Sequence, residues 1–145
     1  MSLISLETDY PVAIDSPDHI APAGTVVDNR TDKDYVRAVK NYFDDDLKVL
    51  DMGCAGGQMI TDFIEEGYTA VGLEGSTHVL SGAGSHNWDK HHNKNLFNVD
   101  LSKPFQLFYD DKPLKFKFIQ RWDVIEHIHH DDLGAWFDNV KNHLT

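Results

Sequence analysis

Three acidic side chains each follow an apolar stretch of the sequence, where their carboxylates could bind a ligand. They are Asp51, Glu74 and Asp100. Carboxylates of this kind accept hydrogen bonds from ribose hydroxyls and from amines, and they attract positive charge. If the three stretches are parallel strands of one sheet, the acids lie along a single edge. The pattern favours a ligand that carries a ribose, an amine and a positive charge.

A glycine-rich turn follows the first of these acids. Residues 53–57 read Gly-Cys-Ala-Gly-Gly, and small residues let a ligand approach the backbone closely. The dinucleotide fingerprint needs glycine at its third and sixth positions, which here are Ala55 and Gln58. The phosphate-binding loop needs a Gly-Lys-Ser/Thr run, which does not follow this turn. We therefore do not expect a diphosphate to rest on it.

A parallel α/β sheet is needed to position these side chains. Hydrophobic periodicity predicts strands at 48–52, 68–73, 96–99 and 116–120, and helices at 31–43, 58–66 and 132–143. The first strand, the glycine turn, a helix and the second strand make one βαβ unit, which implies a parallel sheet. Residues 86–95 are polar, and residues 104–115 are predicted to be a connection with a turn. We expect residues 1–30 to form an arm that lies against the domain.

Three short segments carry a family resemblance. They are residues 50–57 (LDMGCAGG), residues 98–101 (NVDL) and residues 122–128 (WDVIEHI). Together they resemble the class I S-adenosylmethionine-dependent methyltransferases of the small-molecule branch, over about residues 31–145. The resemblance implies an α/β fold with a Rossmann-like doubly wound parallel sheet, of strand order 3-2-1-4, flanked by helices. Because that fold has further strands, it also implies that the domain is truncated after the fourth strand and the following helix.

The resemblance implies a role for each site residue. The cofactor-binding set is Asp51, Gly53, Cys54, Ala55, Gly56, Gly57, Glu74, Gly75, Asp100, Leu101, Arg121 and Trp122. Asp51 would help to hold the amino group of S-adenosylmethionine, and Glu74 would bind its ribose diol. Asp100 and Leu101 would flank the adenine, while the glycine turn would pack against the methionine and ribose portions. Residues 121–123 would line the methyl-donor end. The family usually has glycine where this chain has Ala55.

Asp123 and His127 are the candidate catalytic residues. Methyl transfer is an in-line displacement at a sulfonium methyl, and it sometimes needs a base to take a proton from the acceptor. An imidazole with a pKa near ~6.5 suits that task. The alternative is that Glu126 and His127 cap the next helix or bind backbone groups. We expect no functional metal, because the histidines at 86–92 and 127–130 do not form a His-Glu-x-x-His pattern.

The composition limits which classes of binding partner and which cellular location are expected for this protein. The chain has 145 residues, which suggests one domain, and a formal net charge of −11. That charge disfavours nucleic acid and anionic membrane surfaces. A single cysteine excludes an intramolecular disulfide framework, and the sequence has no run of ~20 apolar residues. We predict a cytoplasmic protein with a small-molecule acceptor. The exposed edge of the fourth strand is expected to favour a homodimer.

Two other hypotheses remain open for the function. The first is a nicotinamide-dependent oxidoreductase half-domain, which Ala55 and Gln58 disfavour. The second is a truncated cofactor-binding module without full catalytic activity.

Overall fold

The computed structural model describes residues 3–13, 23–43 and 46–145. The strands are β1 (Ile4–Thr8), β2 (Lys48–Met52), β3 (Thr69–Glu74), β4 (Leu96–Asn98), β5 (Phe105–Tyr109), β6 (Lys112–Pro113) and β7 (Phe118–Gln120). The helices are α1 (Ala23–Val27), α2 (Lys33–Tyr42), α3 (Gln58–Glu65), α4 (Ser85–His91) and α5 (Leu133–His143). Short 3-10 turns occur at Thr77–Leu80, Ile125–His127 and His130–Asp132. None of the helices within these residues is long and apolar enough to cross a membrane.

The main sheet has four parallel strands in the order β4-β3-β2-β7. This order confirms the predicted Rossmann-like sheet of order 3-2-1-4. Side chains alternate between its faces, as the period of a strand requires. Val49 and Ala70 pack with the cluster that contains Phe63 of α3, whereas Leu50 and Val71 pack on the opposite face. The sheet is therefore covered on both sides, and its carboxyl edge is left to carry a site.

The two faces are covered by different layers. On one face, α2, α3 and α4 contribute Val36, Phe63 and Trp88 to the core. On the other face, β5 and α5 contribute Leu107 and Trp136. All five side chains are nearly inaccessible to water, so that each layer is fixed against the sheet. Helices and a second sheet together hold the parallel strands in register.

A small antiparallel sheet stands where a connection was predicted. β5 and β6 form a hairpin within residues 104–115, and β1 pairs with β5 from Ile4 opposite Tyr109 to Thr8 opposite Phe105. Asp110 and Asp111, in the hairpin turn, both have positive φ, which is the geometry of a type I′ turn. β5 alternates buried and less buried residues, but its sequence, Phe-Gln-Leu-Phe-Tyr, has only one polar residue, so that no apolar–polar alternation marks it as a strand.

Two helices differ from the expectation, one in its first residue and one because it was not predicted. α2 begins at Lys33 with Asp32 as its N-cap, because the Asp32 side chain accepts the N–H of Tyr35 at 3.0 Å. Thr31, the first residue of the predicted helix, instead lies outside it and bonds through its hydroxyl to the side chain of Asp62. The polar stretch that begins at residue 85 forms α4, and the side chain of Trp88 in this helix is buried. Polar helices of this kind carry too few apolar positions for periodicity to reveal them.

The N-terminal segment runs from the small sheet to the carboxyl edge of the main sheet. The N–H of Asp100 donates to the carbonyl oxygen of Tyr10 at 2.9 Å, and Ala13 donates to Gly75 at 3.0 Å. Residues 10–13 therefore lie against the ends of β3 and β4. Residues 1–2 and 14–22 of the predicted arm fall outside the described residues, and the predicted boundary at residue 30 stays a prediction.

β7 forms one edge of the main sheet. Just before it, the N–H of Phe116 donates to the carbonyl oxygen of His143 at 2.7 Å, and Thr145 donates to the carbonyl oxygen of Phe116 at 3.0 Å. The remaining edge of β7 presents backbone groups of the kind that pair with other strands. A homodimer through this edge stays a prediction, and light scattering across a concentration series checks it; a monomer at every concentration would contradict it.

His143 ties α5 to the small antiparallel sheet. Its ring is fully buried, its Nε2 accepts the N–H of Leu107 at 3.1 Å, and its Nδ1 lies 2.7 Å from the carbonyl oxygen of Asn139. Since a carbonyl oxygen can only accept, the proton lies on Nδ1 and the ring is neutral. Burial lowers the pKa of His143, because a charged ring is poorly solvated there.

We expect acid pH to weaken this contact. The unfolded chain takes up the proton near ~6.5, before the folded protein does, so the free energy of unfolding falls as the pH falls below that value. His143→Gln removes the titrating group and should flatten the fall in the free energy of unfolding between about pH 7.5 and 5, measured by urea denaturation. His78→Gln, at an exposed side chain, should leave the slope unchanged. An equal slope in the wild type and His143→Gln would refute the expectation.

Candidate functional site

The carboxyl edge of the main sheet carries two buried acids. Asp51 lies near the end of β2 and Glu74 at the end of β3, and they are only 4% and 8% exposed. Asp51 stands opposite Gln120 in the pairing of β2 with β7. Ionisable groups are rarely buried in this way without a partner or a function. This edge is therefore the candidate functional site.

The glycine turn folds back over the end of β3. The N–H groups of Gly53 and Cys54 both donate to the carbonyl oxygen of Leu73, at 2.8 and 2.9 Å. Gly53 has a φ of +110°, a conformation that side-chain-bearing residues avoid. Ala55 has a φ of +46°, so the chain adopts a left-handed conformation with alanine where the resembled family usually has glycine. The turn keeps its shape at a small cost in backbone strain.

Glu74 anchors this turn to β3. Its Oε1 accepts the N–H of Ala55 at 3.2 Å, and its Oε2 accepts the N–H of Ser76 at 3.0 Å. Burial raises the pKa of Glu74, and the backbone N–H groups of Ser76, Ala55 and Gly75 oppose that rise. An ionised carboxylate has about four lone-pair directions, so it can accept further hydrogen bonds from a ligand.

Asp51 has one satisfied oxygen and one free oxygen. Its Oδ2 accepts the Nε2 amide of Gln120 at 3.1 Å, whereas its Oδ1 is buried without a partner among the described residues. Burial raises the pKa of Asp51 to about 7, the hydrogen bond from Gln120 opposes this, and the charges of Glu74 and Asp28 add to it. A buried acceptor without a partner costs free energy, which a bound donor group would recover.

Residues 28–30 pack against the turn from the N-terminal side. The N–H of Gly56 donates to the carbonyl oxygen of Asp28 at 2.9 Å. Oδ1 of Asn29 accepts the N–H of Gln58, at the start of α3, at 3.1 Å. Arg30 pairs with the Asp28 carboxylate at 2.9 Å, and this contact lowers the pKa of Asp28. These three residues end the predicted N-terminal arm, and none of them was among the predicted site residues.

The third predicted acid is engaged locally. Oδ1 of Asp100 accepts both the N–H and the hydroxyl of Ser102, at 3.0 and 2.7 Å, which closes a turn after β4. Leu101 is 6% exposed and belongs to the core, and its carbonyl oxygen accepts the Asn139 amide at 3.0 Å. The structure thus uses the Leu101 side chain in packing.

The segment after β7 forms the exposed rim of the site. Arg121 is exposed, and Trp122, which is 49% exposed, meets the ring of Tyr35 edge-on at 5.2 Å between centroids. Asp123 has a φ of +51°, and its carboxylate lies 3.2 Å from Nη2 of Arg30. The backbone of His127 lies in a 3-10 turn, and its side chain falls outside the described part of the structure.

Two other features bear on the predicted chemistry. Cys54 packs against β3, since a Cβ on Gly72 would lie 2.7 Å from its Sγ, and burial raises the pKa of the Cys54 thiol well above its usual value. Within the described residues, one group could supply three metal ligands. Its ligand atoms lie within 4.8 Å of one another, on the exposed side chains of His129, His130 and Asp131.

Several residues that were not among the predicted site residues form hydrogen bonds that fix the glycine turn. Asn87 is buried and donates to Asn29 and to the carbonyl oxygen of Gly56, and Trp88 donates to the carbonyl oxygen of Ala55 at 2.9 Å. One of the missed residues left a signal in the sequence. Gln120 is a polar residue that ends an apolar strand, as Asp51 nearly does.

The electrostatics of the site favour a cation. The charges of Glu74 and Asp28 raise the pKa of the buried Asp51, and the charge of Asp28 also raises that of the buried Glu74. Arg30 offsets part of this charge at Asp28. A positively charged ligand group would stabilise the ionised acids, and the free Oδ1 of Asp51 could accept its hydrogen bond. The residues present therefore fit S-adenosylmethionine, which carries both an ammonium group and a sulfonium.

Three solved structures are similar to this fold. The glycopeptide N-methyltransferase MtfA complexed with sinefungin is 20% identical, over 81% of this chain and 47% of that one, with a TM-score of 0.58. A TehB-like SAM-dependent methyltransferase from Corynebacterium glutamicum is 18% identical, over 86% and 61%, with a TM-score of 0.61. A S-adenosylmethionine-dependent methyltransferase from Clostridium acetobutylicum is 24% identical, over 88% and 50%, with a TM-score of 0.57.

The sequence itself matches one family. Comparison with curated proteins found no match. This chain spans about half the length of the solved structures that it matches, and their similarity shows a shared fold. The family described as "Methyltransferase domain" matches residues 27–145, which include the glycine turn and the segment after β7. Since this match covers most of the sequence, the chain belongs to the methyltransferase domain family.

Proposed function

We propose that this domain binds S-adenosylmethionine and transfers its methyl group to a small-molecule or metabolite acceptor. The observation that supports this most directly is the buried Oδ1 of Asp51 beside a glycine turn, which has no partner among the described residues and lies in a group of carboxylates that favours a cation. Membership of the methyltransferase domain family agrees with it. Among the similar structures, MtfA was solved with (S)-adenosyl-L-methionine and with (S)-adenosyl-L-homocysteine.

The proposed donor site uses the acids in separate roles. Asp51 takes the ammonium group, and Glu74 accepts hydrogen bonds from the ribose hydroxyls while it holds the turn through Ala55. Asp100 lies on the adenine side, where Ser102 fixes its carboxylate. The backbone of the glycine turn packs against the methionine and ribose portions, because its small residues leave that face open.

When bound, S-adenosylmethionine supplies an activated methyl group on a positively charged sulfur. The chain's own residues then have to orient the acceptor in line and accept its proton. We propose that Arg121 and Trp122 line the methyl-donor end and that Asp123 or His127 takes the proton. Methyl-transfer rates of Asp123→Asn and His127→Gln over a range of pH test these two roles; wild-type profiles in both variants would exclude them.

The start of α3 argues against a nicotinamide cofactor. In dinucleotide-binding folds, the diphosphate rests on the N–H groups at the helix start that follows the glycine turn. Here Oδ1 of Asn29 accepts the N–H of Gln58 at that position. The Asn87 amide donates to the same Asn29 oxygen at 3.2 Å. A diphosphate would have to displace this side chain, so we favour the methyl donor over a nicotinamide cofactor.

A direct binding experiment tests the proposal. Isothermal titration should detect binding of S-adenosylhomocysteine and no binding of NAD. Glu74→Ala should weaken S-adenosylhomocysteine binding about tenfold to a hundredfold, since the buried ribose hydroxyls lose their acceptor. Glu7→Ala, at an exposed position of β1, is the matched control and should bind as the wild type does.

The opposite titration result would overturn the proposal, namely binding of NAD without binding of S-adenosylhomocysteine. A methyl-transfer assay over a panel of metabolites then separates an active enzyme from a cofactor-binding module. Donor binding without transfer to any acceptor would favour the module, which is the second candidate because the chain spans about half the length of the similar structures.

A further inference from the structure

A chain of hydrogen bonds links α2 to the free acid of the site. Oη of Tyr35 donates to Oε1 of Gln120 at 3.0 Å, and Nε2 of Gln120 donates to Oδ2 of Asp51 at 3.1 Å. The direction of the Gln120 amide is fixed chemically, because a carboxylate oxygen accepts from the NH2 group while the phenol needs an acceptor. These hydrogen bonds therefore connect Tyr35 of α2, through Gln120 of β7, to Asp51 of β2.

Each member of this chain is held in place by packing. Gln120 is 6% exposed, and its Nε2 also lies 3.2 Å from the sulfur of Met59. The Tyr35 ring meets Trp122 edge-on, at an interplanar angle of 83°. Since Gln120 and Asp51 are opposite residues of paired strands, the backbone sets the spacing between them. Such a chain can fix the rotation of the Asp51 carboxylate.

We propose that Gln120, oriented by Tyr35, is a positioning residue that holds the Asp51 carboxylate through Oδ2 and presents Oδ1 to the ammonium group of the donor. This inference rests on the proposed function, because the ammonium group belongs to S-adenosylmethionine. It adds a residue that the family resemblance did not assign to the site. Removing the Gln120 amide would leave both Asp51 oxygens without a donor in a buried place.

The groups around Asp51 determine how its ionisation depends on pH. They are Tyr35 from α2, Gln120 from β7, Glu74 from β3, Asp28 from the segment before α2, and Cys54 from the glycine turn. Burial and the two neighbouring acids raise the pKa of Asp51, the hydrogen bond from Gln120 lowers it, and together they place it at about 7. Without Gln120, a larger fraction of Asp51 is protonated at neutral pH and cannot pair with a cation.

The test compares two ligands over a range of pH. S-adenosylhomocysteine carries the ammonium group, and 5′-methylthioadenosine lacks the whole amino-acid part. For Gln120→Leu, we expect the affinity for S-adenosylhomocysteine to fall about tenfold near pH 7 and to recover towards about pH 8.5. The affinity for 5′-methylthioadenosine should stay within about twofold of the wild type. A general loss of structure would instead weaken both ligands by a similar factor at every pH.

Matched variants keep the test informative if Gln120→Leu folds poorly. Tyr35→Phe removes the hydroxyl and keeps the ring against Trp122, and it should shift the same pH profile in the same direction by less. Tyr42→Phe, at a tyrosine that is 84% exposed, and Gln106→Leu, in β5, should leave the profile unchanged. Equal losses for both ligands, or a wild-type profile in Gln120→Leu and Tyr35→Phe, would overturn the inference.

A readout without ligand separates this inference from the proposed function. The carbon NMR signal of the Asp51 carboxyl, followed over pH in the ligand-free protein, reports its pKa directly. We expect the pKa of Asp51 to be higher in Gln120→Leu than in the wild type; no difference would refute the positioning role. If neither ligand binds the wild type, the proposed function fails, while the NMR result still decides whether Gln120 controls Asp51.

Discussion

Asp51→Asn is expected to make the protein more stable at pH 8 and, at the same time, weaker in binding the donor. The wild type keeps a carboxylate at a site that is 4% exposed, and one of its oxygens has no partner in the part of the chain that the structure describes. Asparagine carries no charge, and its side-chain oxygen can still accept the hydrogen bond from the Gln120 amide. We expect a gain of about 1–3 kcal/mol in the free energy of unfolding, after allowance for one unpaired amide group. S-adenosylhomocysteine binding should weaken about tenfold to a hundredfold.

The pH dependence identifies the cause of this gain. The folded protein holds the Asp51 proton up to a pKa of about 7. The unfolded chain releases the same proton near ~3.9, so Asp51 lowers stability progressively as the pH rises between these values and by a constant amount above them. The difference between Asp51→Asn and the wild type should follow this course in urea denaturation. Asp89→Asn, at an exposed aspartate, is the control. A difference that does not vary with pH would contradict the explanation.

Gly84→Ala is expected to destabilise the protein by about 3 kcal/mol. A Cβ at residue 84 would lie 2.2 Å from the Cα of Gly56 and 2.3 Å from its carbonyl oxygen. Both atoms belong to the backbone of the glycine turn, so no rotation of a side chain can relieve the contact. The variant should therefore also weaken donor binding, because α4 would push the turn out of position. Urea denaturation and titration with S-adenosylhomocysteine measure the two effects.

Gly134→Ala is the matched control for this substitution. A Cβ there would meet none of the described residues within 4 Å, and the residue lies within α5. Alanine is the better helix former, so this variant should be more stable than the wild type by up to about 1 kcal/mol. A small effect of Gly84→Ala, close to that of Gly134→Ala, would show that α4 and the turn can separate at little cost.

Local patterns were sufficient to predict the parallel sheet. The apolar runs ending in Asp51 and Glu74, with a glycine turn between them, define a βαβ unit, and strand order followed from the family resemblance. The small antiparallel sheet could not be predicted in the same way. β1 has a single buried residue, Ile4, and its partner β5 lies roughly a hundred residues later in the chain. Short segments of this kind become strands only through pairing at long range.

In the site, too, local patterns predicted some residues, whereas contacts between distant parts of the chain could not be predicted. Single residues such as Asp51 could be selected because each ends an apolar run, and the structure brings Asp51 and Glu74 to one edge. The contacts that surround them depend on side chains from distant elements. For example, the Asn29 side chain accepts the first N–H of α3, and the Gln120 amide donates to Asp51. No spacing in the sequence encodes either contact. Their positions follow from how α2 and β7 pack on β2.

The pairing of β1 with β5 has a consequence for how the chain folds. Ile4 lies opposite Tyr109, so this contact closes a loop of roughly a hundred residues and carries a large entropic cost before it forms. Contacts of such high sequence separation slow folding. During synthesis, β1 has to wait unpaired until β5 has been made, although the βαβ unit around the glycine turn can already assemble. We infer that the βαβ unit with Asp51 and Glu74 can form before β1 pairs with β5, and that Gln120 of β7, which follows β5 in the chain, joins this edge later.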